Sequence, residues 1–175
     1  FWRSTLAGFT APTPLVVDKL VGDLSRQKDI YDEQNFKLSA SLTDALKELA
    51  RQNHLTLNTL VQGAWALLLS RYSGELDVVF GATVSGRPPA LLGVESMVGL
   101  FINTLPVRVQ VSPEAELLSW LKQLQASQVE REQYSYSSLV EIQGVSDVPR
   151  NLPLFNSIVV FENYPLDSSL LEGKG

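Results

Sequence analysis

Cysteine is absent from this sequence of 175 residues, and histidine occurs only once, at His54. Without cysteine the chain can form no disulfide, no thiolate nucleophile and no zinc–thiolate site, and it is compatible with a reducing compartment. The histidine lies in the polar stretch "RQNHLTL", where a side chain facing solvent is expected. A Ser–His–Asp triad would have to use this poorly placed imidazole, so neither a metal site nor such a triad is predicted.

Basic residues are also in the minority, with 14 Lys and Arg against 19 Asp and Glu and a formal net charge of -5. A nucleic-acid-binding domain shows a basic face, so this balance argues against nucleic acid as a partner. Apolar stretches such as residues 64–69 fall far short of the ~20 residues that cross a bilayer. With no charged and then apolar leader at its start, the chain is expected to be cytoplasmic, without a membrane partner.

Apolar residues make up 45% of the sequence and charged residues 19%, a balance typical of a globular chain with a core. Apolar residues recur at helical spacing over 42–50, which predicts an amphipathic helix. A second helix is predicted over 56–72, where the apolar character all round indicates burial and Gly74 supplies a stop signal. A third helix is predicted to begin at Ser112, with Pro113 in its first turn.

Two stretches rich in β-branched residues, "DVVFGATV" at 77–84 and "SIVVFE" at 157–162, are apolar almost throughout. Such runs are typical of central strands covered on both faces, so helices should pack on both sides of the sheet. A further short strand is predicted at 35–40. The pattern as a whole predicts an α/β fold without internal repeats. Residues 1–32 show no sustained period and are predicted to be an extended connector that crosses a surface.

The end of the first of these strands has some features of a phosphate-binding loop. Gly81 and Gly86 have suitable positions, but Arg87 and Pro88 stand where lysine and Ser/Thr are required. The pattern therefore favours a rigid loop at the end of a strand, in which Arg87 could still matter.

Carboxylates near the end of the third helix are equally unspecific. Glu130, Glu132 and Glu141 alternate with Arg131, which is typical of a solvated face rather than of a paired acid and base. No complete active site is predicted from these residues.

A polar pair interrupts the apolar run "VGLFI": Asn103 and Thr104 follow it directly. A buried amide without partners costs about 1–3 kcal/mol, so Asn103 requires a partner. Residues 99–108, "GLFINTLPVR", resemble the G-x-F-V-N-T-x-x-x-R motif of condensation domains from nonribosomal peptide synthetases, with isoleucine in place of valine.

Two further stretches extend this resemblance over nearly the whole chain. Residues 148–155, "VPRNLPLF", resemble the family's late S-R-N-P-L motif, although proline replaces serine and a leucine is added. The opening "FWR", with "LAG" at 6–8, is similar to the "YW" stretch that starts the second lobe. Residues 131–137, "REQYSYS", depart from the common H-Q-D-Y-P-F-E and resemble members that join L-configured donor and acceptor units.

The resemblance implies an α/β fold that is one lobe of a two-lobed, chloramphenicol-acetyltransferase-like fold, with a mixed central sheet flanked by helices. Residues 1–32 would be the connector entering the lobe, and 33–175 would be an incomplete C-terminal subdomain without its closing strands. The family's catalytic motif, H-H-x-x-x-D-G, belongs to the preceding lobe. This motif is absent from the sequence, so no catalytic residue is predicted here.

The resemblance also implies an activity for the whole domain, in which the amine of an acceptor aminoacyl thioester attacks a donor acyl or peptidyl thioester. Phosphopantetheine arms of the donor and acceptor carrier proteins would bring both substrates, so no directly bound cofactor and no metal is expected. Other implied partners are the N-terminal lobe and an adjacent adenylation domain. Alternatives are a non-catalytic module that docks carrier proteins near Arg3 and Tyr31, and an epimerisation domain or other acyltransferase of the same fold.

Asn103, Arg87 and Thr104 are the candidates for the substrate tunnel. The Asn103 amide would bond strand backbone or a pantetheine arm at the lobe interface, or would satisfy only local backbone. Arg87 would line the tunnel mouth or remain a solvated loop arginine. Thr104 is weighted toward a structural role.

Four other motif residues are expected to act structurally. Gly99 would permit close approach of backbone. Arg108 should lie on the opposite side of an extended strand from Asn103 and form an internal salt bridge or hydrogen-bond anchor. Arg150 and Asn151 would tie a loop to the last strand.

Overall fold

The computed structural model describes residues 1–15, 32–87 and 91–162. Five α-helices and three strands occur in this part of the chain: α1 Trp2–Thr5, α2 Ala40–Gln52, α3 Leu57–Ser73, β1 Asp77–Val84, β2 Asn103–Gln110, α4 Leu117–Glu132, α5 Leu139–Val145 and β3 Ile158–Val159. A short 3-10 helix at Val94–Ser96 precedes β2. Within these ranges, the helices lack the combination of length and apolar character that spanning a bilayer requires.

The three strands form one mixed sheet in the order β2-β1-β3. β1 and β2 run antiparallel, with Asp77 opposite Gln110 at one end and Val84 opposite Asn103 at the other. β3 runs parallel to β1, with Ile158 opposite Gly81. The α/β fold with a mixed sheet flanked by helices, as predicted, is confirmed.

Helices cover β1 on both faces, because successive residues of this strand point to opposite faces and apolar side chains occur on each face. Val78 and Phe80 belong to the cluster formed with α3 and α4, which also contains Trp120. Val79 belongs to a second cluster that contains Leu6, after α1, together with Ile142 of α5. The predicted helices on both sides of the sheet are therefore present.

Local sequence signals set the two ends of α3, and a glycine allows this helix to pack against α4. α3 begins where the Thr56 side chain accepts the N–H of Thr59, and it ends at Gly74, which has a left-handed φ of 78°. A Cβ at Gly63 would lie 2.5 Å from Leu121 Cδ2, so glycine allows the two helices to pack closely.

Several elements differ from their sequence predictions. Residues 35–40 form no strand: the chain is irregular until α2 begins at Ala40, and Phe36 is almost fully exposed. α4 begins at Leu117 rather than Ser112, because residues 113–115 form a separate turn. A short apolar alternation or a proline supplies only local preference, and neighbouring backbone decides where an element begins.

Burial is also lower than predicted at two elements. α3 is not buried all round, since Val61, Leu68 and Tyr72 remain exposed. β3 has two residues and lies at the edge of the sheet in the described residues, and Ile158 and Val160 are more than half exposed. Apolar pattern alone does not distinguish a core position from a surface that another body covers.

Residues 1–15 are more than a connector. They contain α1, and Trp2, Leu6 and Phe9 are buried in the second cluster. The Thr13 hydroxyl accepts the buried N–H of Val79 at 2.8 Å, which places this segment beside β1. Residues 16–31 lie outside the described ranges, and the boundary at residue 32 stays a prediction.

Candidate functional site

The candidate site is the loop of residues 85–102, here called the strand-end loop, which joins the end of β1 to the start of β2. Because Val84 pairs with Asn103, the loop leaves the sheet and returns at the same end. Residues 85–87 and 91–102 of it are described. All three predicted tunnel residues lie in this loop or directly beside it.

Gly86 allows the two ends of the loop to touch. Its φ is 64°, and a Cβ at this position would overlap the backbone carbonyl of Phe101. At Gly99, by contrast, the nearest atoms to such a Cβ belong to the Phe101 ring at 3.4 Å, an ordinary contact. The close backbone approach predicted at Gly99 occurs at Gly86 instead, since a glycine's role depends on what faces it.

Arg87 fixes the described part of the loop from inside. Its guanidinium donates hydrogen bonds to the carbonyl oxygens of Val94 and Met97, the latter at 3.0 Å. The same group lies 4.2 Å from the centroid of the Phe101 ring, in cation–π contact. Arg87 is half-buried rather than a freely solvated arginine. Pro88 and Pro89 lie outside the described residues.

The outer surface of the loop is apolar. Leu92, Val98 and Leu100 are each more than nine-tenths exposed, and Ile102 is 60% exposed. Contiguous exposed apolar residues are typical of surfaces that contact another body. The described part of the loop is thus held in shape by Gly86 and Arg87 while it presents side chains that no described residue covers.

Asn103 occupies the first position of β2, and its amide is used by the protein. Nδ2 donates to the carbonyl oxygens of Ser135 at 2.8 Å and Ser137 at 2.9 Å. Oδ1 accepts the backbone N–H of Thr104 at 2.9 Å. The amide therefore ties the turn after α4 to the start of β2. Both of its hydrogens are engaged, and Oδ1 retains one lone pair.

Thr104 is half-buried and pairs across the sheet with Thr83. Its methyl group lies 3.0 Å from where a Cβ at Gly81 would stand, and the Phe155 ring fills the same space at 2.6 Å. Thr104 thus contributes to packing around Gly81.

Arg108 lies at the opposite end of the sheet from the strand-end loop. It donates to both carboxylate oxygens of Asp77, at 2.6 Å for the shortest bond, and to the backbone carbonyls of Thr5 and Ala7. The hydrogen bonds to Asp77 raise the pKa of Arg108. From β2, the Arg108 side chain therefore ties the end of α1 and the residues after it to Asp77 of β1. This side chain is 16% exposed.

Arg150 and Asn151 were predicted to tie a loop to the last strand, and no such tie occurs within the described residues. Both are exposed, and neither side chain forms a hydrogen bond with a described residue. The loop is held instead by Gln143 of α5, whose Nε2 donates to the Leu152 carbonyl at 2.7 Å. An exposed polar side chain can exchange its protein partner for water at little cost, so sequence position alone does not identify the tie.

Catalytic groups are scarce in the described residues. His54 is exposed in the turn after α2, and no three His, Asp or Glu side chains within these ranges are placed to hold a metal ion. The alternative of a carrier-docking module named two positions. Of these, Arg3 is exposed in α1, and Tyr31 lies outside the described residues.

Arg131 is the residue that sequence reasoning misses. Predicted on a solvated face, it is only 7% exposed, and burial lowers its pKa to about 10. Glu130 and Glu132 are exposed as predicted. The available signal was helical spacing, because Arg131 lies seven residues after the buried Leu124, on the same face of α4.

The comparison with known families is decisive for the whole chain. The family described as "Condensation domain" matches residues 1–174. The chain belongs to the condensation domain family. This confirms the family resemblance, while the lobe and the donor and acceptor type stay predictions.

Relatives of this condensation-family chain agree with the assignment. A linear gramicidin synthase of Brevibacillus parabrevis is 56% identical over 169 residues, which cover 97% of this chain and 3% of that protein. The crystal structure of the X-domain from teicoplanin biosynthesis has a TM-score of 0.68 at 26% identity, covering 90% of this chain and 35% of that one. The first condensation domain of the CDA synthetase has a TM-score of 0.55 at 20% identity, covering 69% and 25%, and shows the fold alone.

Proposed function

We propose that this chain is the C-terminal lobe of a condensation domain that forms amide bonds in nonribosomal peptide synthesis. The observation that carries the proposal is the described part of the strand-end loop, which Arg87 holds in shape and which exposes Leu92, Val98 and Leu100. A rigid apolar surface of this kind suits a second lobe that packs against it. The family match over residues 1–174 supports the same assignment.

In the proposed domain this lobe supplies a wall of the substrate tunnel and docking surface, and the preceding lobe supplies the H-H-x-x-x-D-G motif. The acceptor amine attacks the thioester carbonyl of the donor, a C–N bond forms, the C–S bond breaks, and the thiol of the donor arm leaves with a proton. Holding two tethered substrates together makes the attack effectively unimolecular. The variant motif at 131–137 supports the type that joins L-configured units.

Residues beside the loop have positioning roles in this proposal. Asn103 keeps the turn at Ser135 and Ser137 against β2, and its free Oδ1 lone pair is available to an amide of a pantetheine arm. Arg87 sets the shape of the tunnel wall through the loop backbone. Thr104 supports the wall from within the sheet. The phosphopantetheine arms come from donor and acceptor carrier proteins, with an adenylation domain as neighbour.

The experiment compares amide formation by the full-length protein, measured by mass spectrometry with loaded carrier proteins, in two variants. Leu100→Asp places a charge on the proposed lobe interface and should reduce amide formation by about tenfold or more. Val140→Asp, at an 81% exposed position of α5, is the matched control and should leave it unchanged. Equal activity of both variants would contradict the proposed interface, and amide formation by the 175-residue chain alone would contradict the assignment of catalysis to the preceding lobe.

A further inference from the structure

A cavity of about 300 Å³ lies beside the strand-end loop, on the α3 and α4 side of the sheet. Its walls come from the first turns of α3, the end of β1, the start of β2 and the last turns of α4. The polar residues relevant here are Asn58, Gln62, Gln128, Arg131 and Glu132. This volume lies at the lower end of the range for small-ligand pockets.

Arg131 brings a buried cation to this cavity. Arg131 is only 7% exposed, and its guanidinium forms no hydrogen bond with a described residue. The two ion pairs in these residues join Glu48 to Arg51 and Asp77 to Arg108, so neither involves Arg131. Its pKa of about 10, lowered by burial, still leaves the group charged at neutral pH. A charge that is largely removed from water, and that no residue of the described ranges pairs, is costly, so the cavity favours an anion.

The walls beside Arg131 are fixed by a chain of side-chain hydrogen bonds. Gln128 Nε2 donates to Gln62 Oε1 at 2.8 Å, and Gln62 Nε2 donates to Asn58 Oδ1 at 3.0 Å. The Thr59 hydroxyl lies 3.0 Å from both Gln125 Oε1 and Gln128 Oε1, so its one hydrogen is shared between these two acceptors. Since Oδ1 of Asn58 is fixed as an acceptor, its N–H groups, unpaired among the described residues, remain available to a ligand.

The position of α3 adds to the preference for negative charge. Asn58 lies in the first turn of this helix of 17 residues, where the helix dipole is positive. Glu132, exposed at the same cavity, forms no ion pair with Arg131. Its charge disfavours a ligand with two carboxylates, so the combination suits a single carboxylate.

We propose that this cavity binds one carboxylate group, with the Arg131 guanidinium as its main partner and the Asn58 amide as a second donor. A guanidinium matches a carboxylate through two parallel hydrogen bonds. The carboxylate belongs to a small organic acid or to an acidic side chain of the full-length protein. This site is separate from the proposed reaction, so it stands or falls independently of amide formation.

The first test measures binding of propionate to the full-length protein by saturation-transfer difference NMR, with propionamide as the neutral analogue. Propionate should bind, and the affinity of propionamide should be lower by about tenfold or more. Arg131→Met should remove propionate binding, whereas Arg51→Met, which removes an exposed arginine, should leave it unchanged. Glu132→Gln should strengthen it. Equal binding of both probes, or binding of propionate unaffected by Arg131→Met, would overturn the proposal.

The second test identifies a carboxylate supplied by the polypeptide. In that case propionate does not bind, and a crystal structure of the full-length protein shows an Asp or Glu carboxylate within 4 Å of the Arg131 guanidinium. Arg131→Met then lowers the unfolding temperature of the full-length protein, because it leaves that acid buried without a partner. Absence of both propionate binding and such a carboxylate would overturn the proposal.

Discussion

The two ends of the ladder between β1 and β2 are built differently. The end near Asp77 is here called the paired end, because Arg108 there forms an ion pair with a carboxylate and also donates to two backbone carbonyls. The other end, near Asn103, is here called the open end, because the strand-end loop exposes large apolar side chains there. The cavity beside this loop is lined by Arg131, which has no partner among the described residues. The same sheet thus carries a region optimised for stability and a region that gives up stability, which is typical of sites that await a partner.

The largest loss of stability is expected at the paired end. Arg108→Met removes the bonds to Asp77 and leaves the Thr5 and Ala7 carbonyls without their donor. We expect the free energy of unfolding to fall by about 3 kcal/mol, measured by urea denaturation of the chain. Arg51→Met is the control, because its ion pair with Glu48 is exposed and should matter little. Similar effects of the two substitutions would show that Arg108 is not an anchor.

The opposite sign is expected at the open end. Arg131→Met replaces a buried cation that has no partner in the described part of the chain by an apolar side chain of similar length, and it should stabilise the chain at pH 7 by up to about 3 kcal/mol. Because burial lowers the pKa of Arg131 in the folded chain, the folded chain loses this proton at a lower pH than the unfolded chain does. Stability of the wild type should therefore rise with pH from about 10 toward the usual arginine pKa, and the difference between the two proteins should shrink.

Urea denaturation of both proteins between pH 7 and 11 measures this difference. A variant less stable than the wild type at pH 7 would show that Arg131 has a partner in the chain and is not held at a cost.

A smaller loss is expected at Asn103, where the open end still depends on local bonds. Asn103→Leu removes the two donors to Ser135 and Ser137 and should lower the free energy of unfolding by about 2 kcal/mol. Asn103→Asp keeps the acceptor for Thr104 but turns a carboxylate toward two carbonyl oxygens, so its loss should be at least as large. Thermal unfolding compares the three proteins. Unchanged stability in both variants would mean that the turn after α4 is held by other contacts.

Features set by short-range chemistry could be predicted from the sequence. β1 spans 77–84 as predicted, and α3 lies between Thr56 and Gly74 because a hydroxyl cap and a left-handed glycine act within one turn. The α/β class followed from strands apolar on both faces.

Features set by distant neighbours could not be predicted. The close approach is at Gly86 rather than Gly99 because Phe101 returns to that point of the loop. Arg131 is buried, contrary to prediction, because α4 packs against the rest of the fold, which adjacent acids do not reveal. In the site, Asn103 is a polar group that needs partners, as predicted, yet the two carbonyl oxygens that accept from its amide lie more than 30 residues away.

The most direct test of the open end uses the absence of cysteine from the chain. A single cysteine is introduced by Leu100→Cys in the strand-end loop or, as control, by Val140→Cys on α5, and maleimide labelling at that position is followed by peptide mass spectrometry. Leu100→Cys should be labelled about tenfold or more slowly in the full-length protein than in the 175-residue chain, because a second lobe covers the loop, while Val140→Cys should react equally in both. Equal labelling of Leu100→Cys in the two proteins would contradict the account.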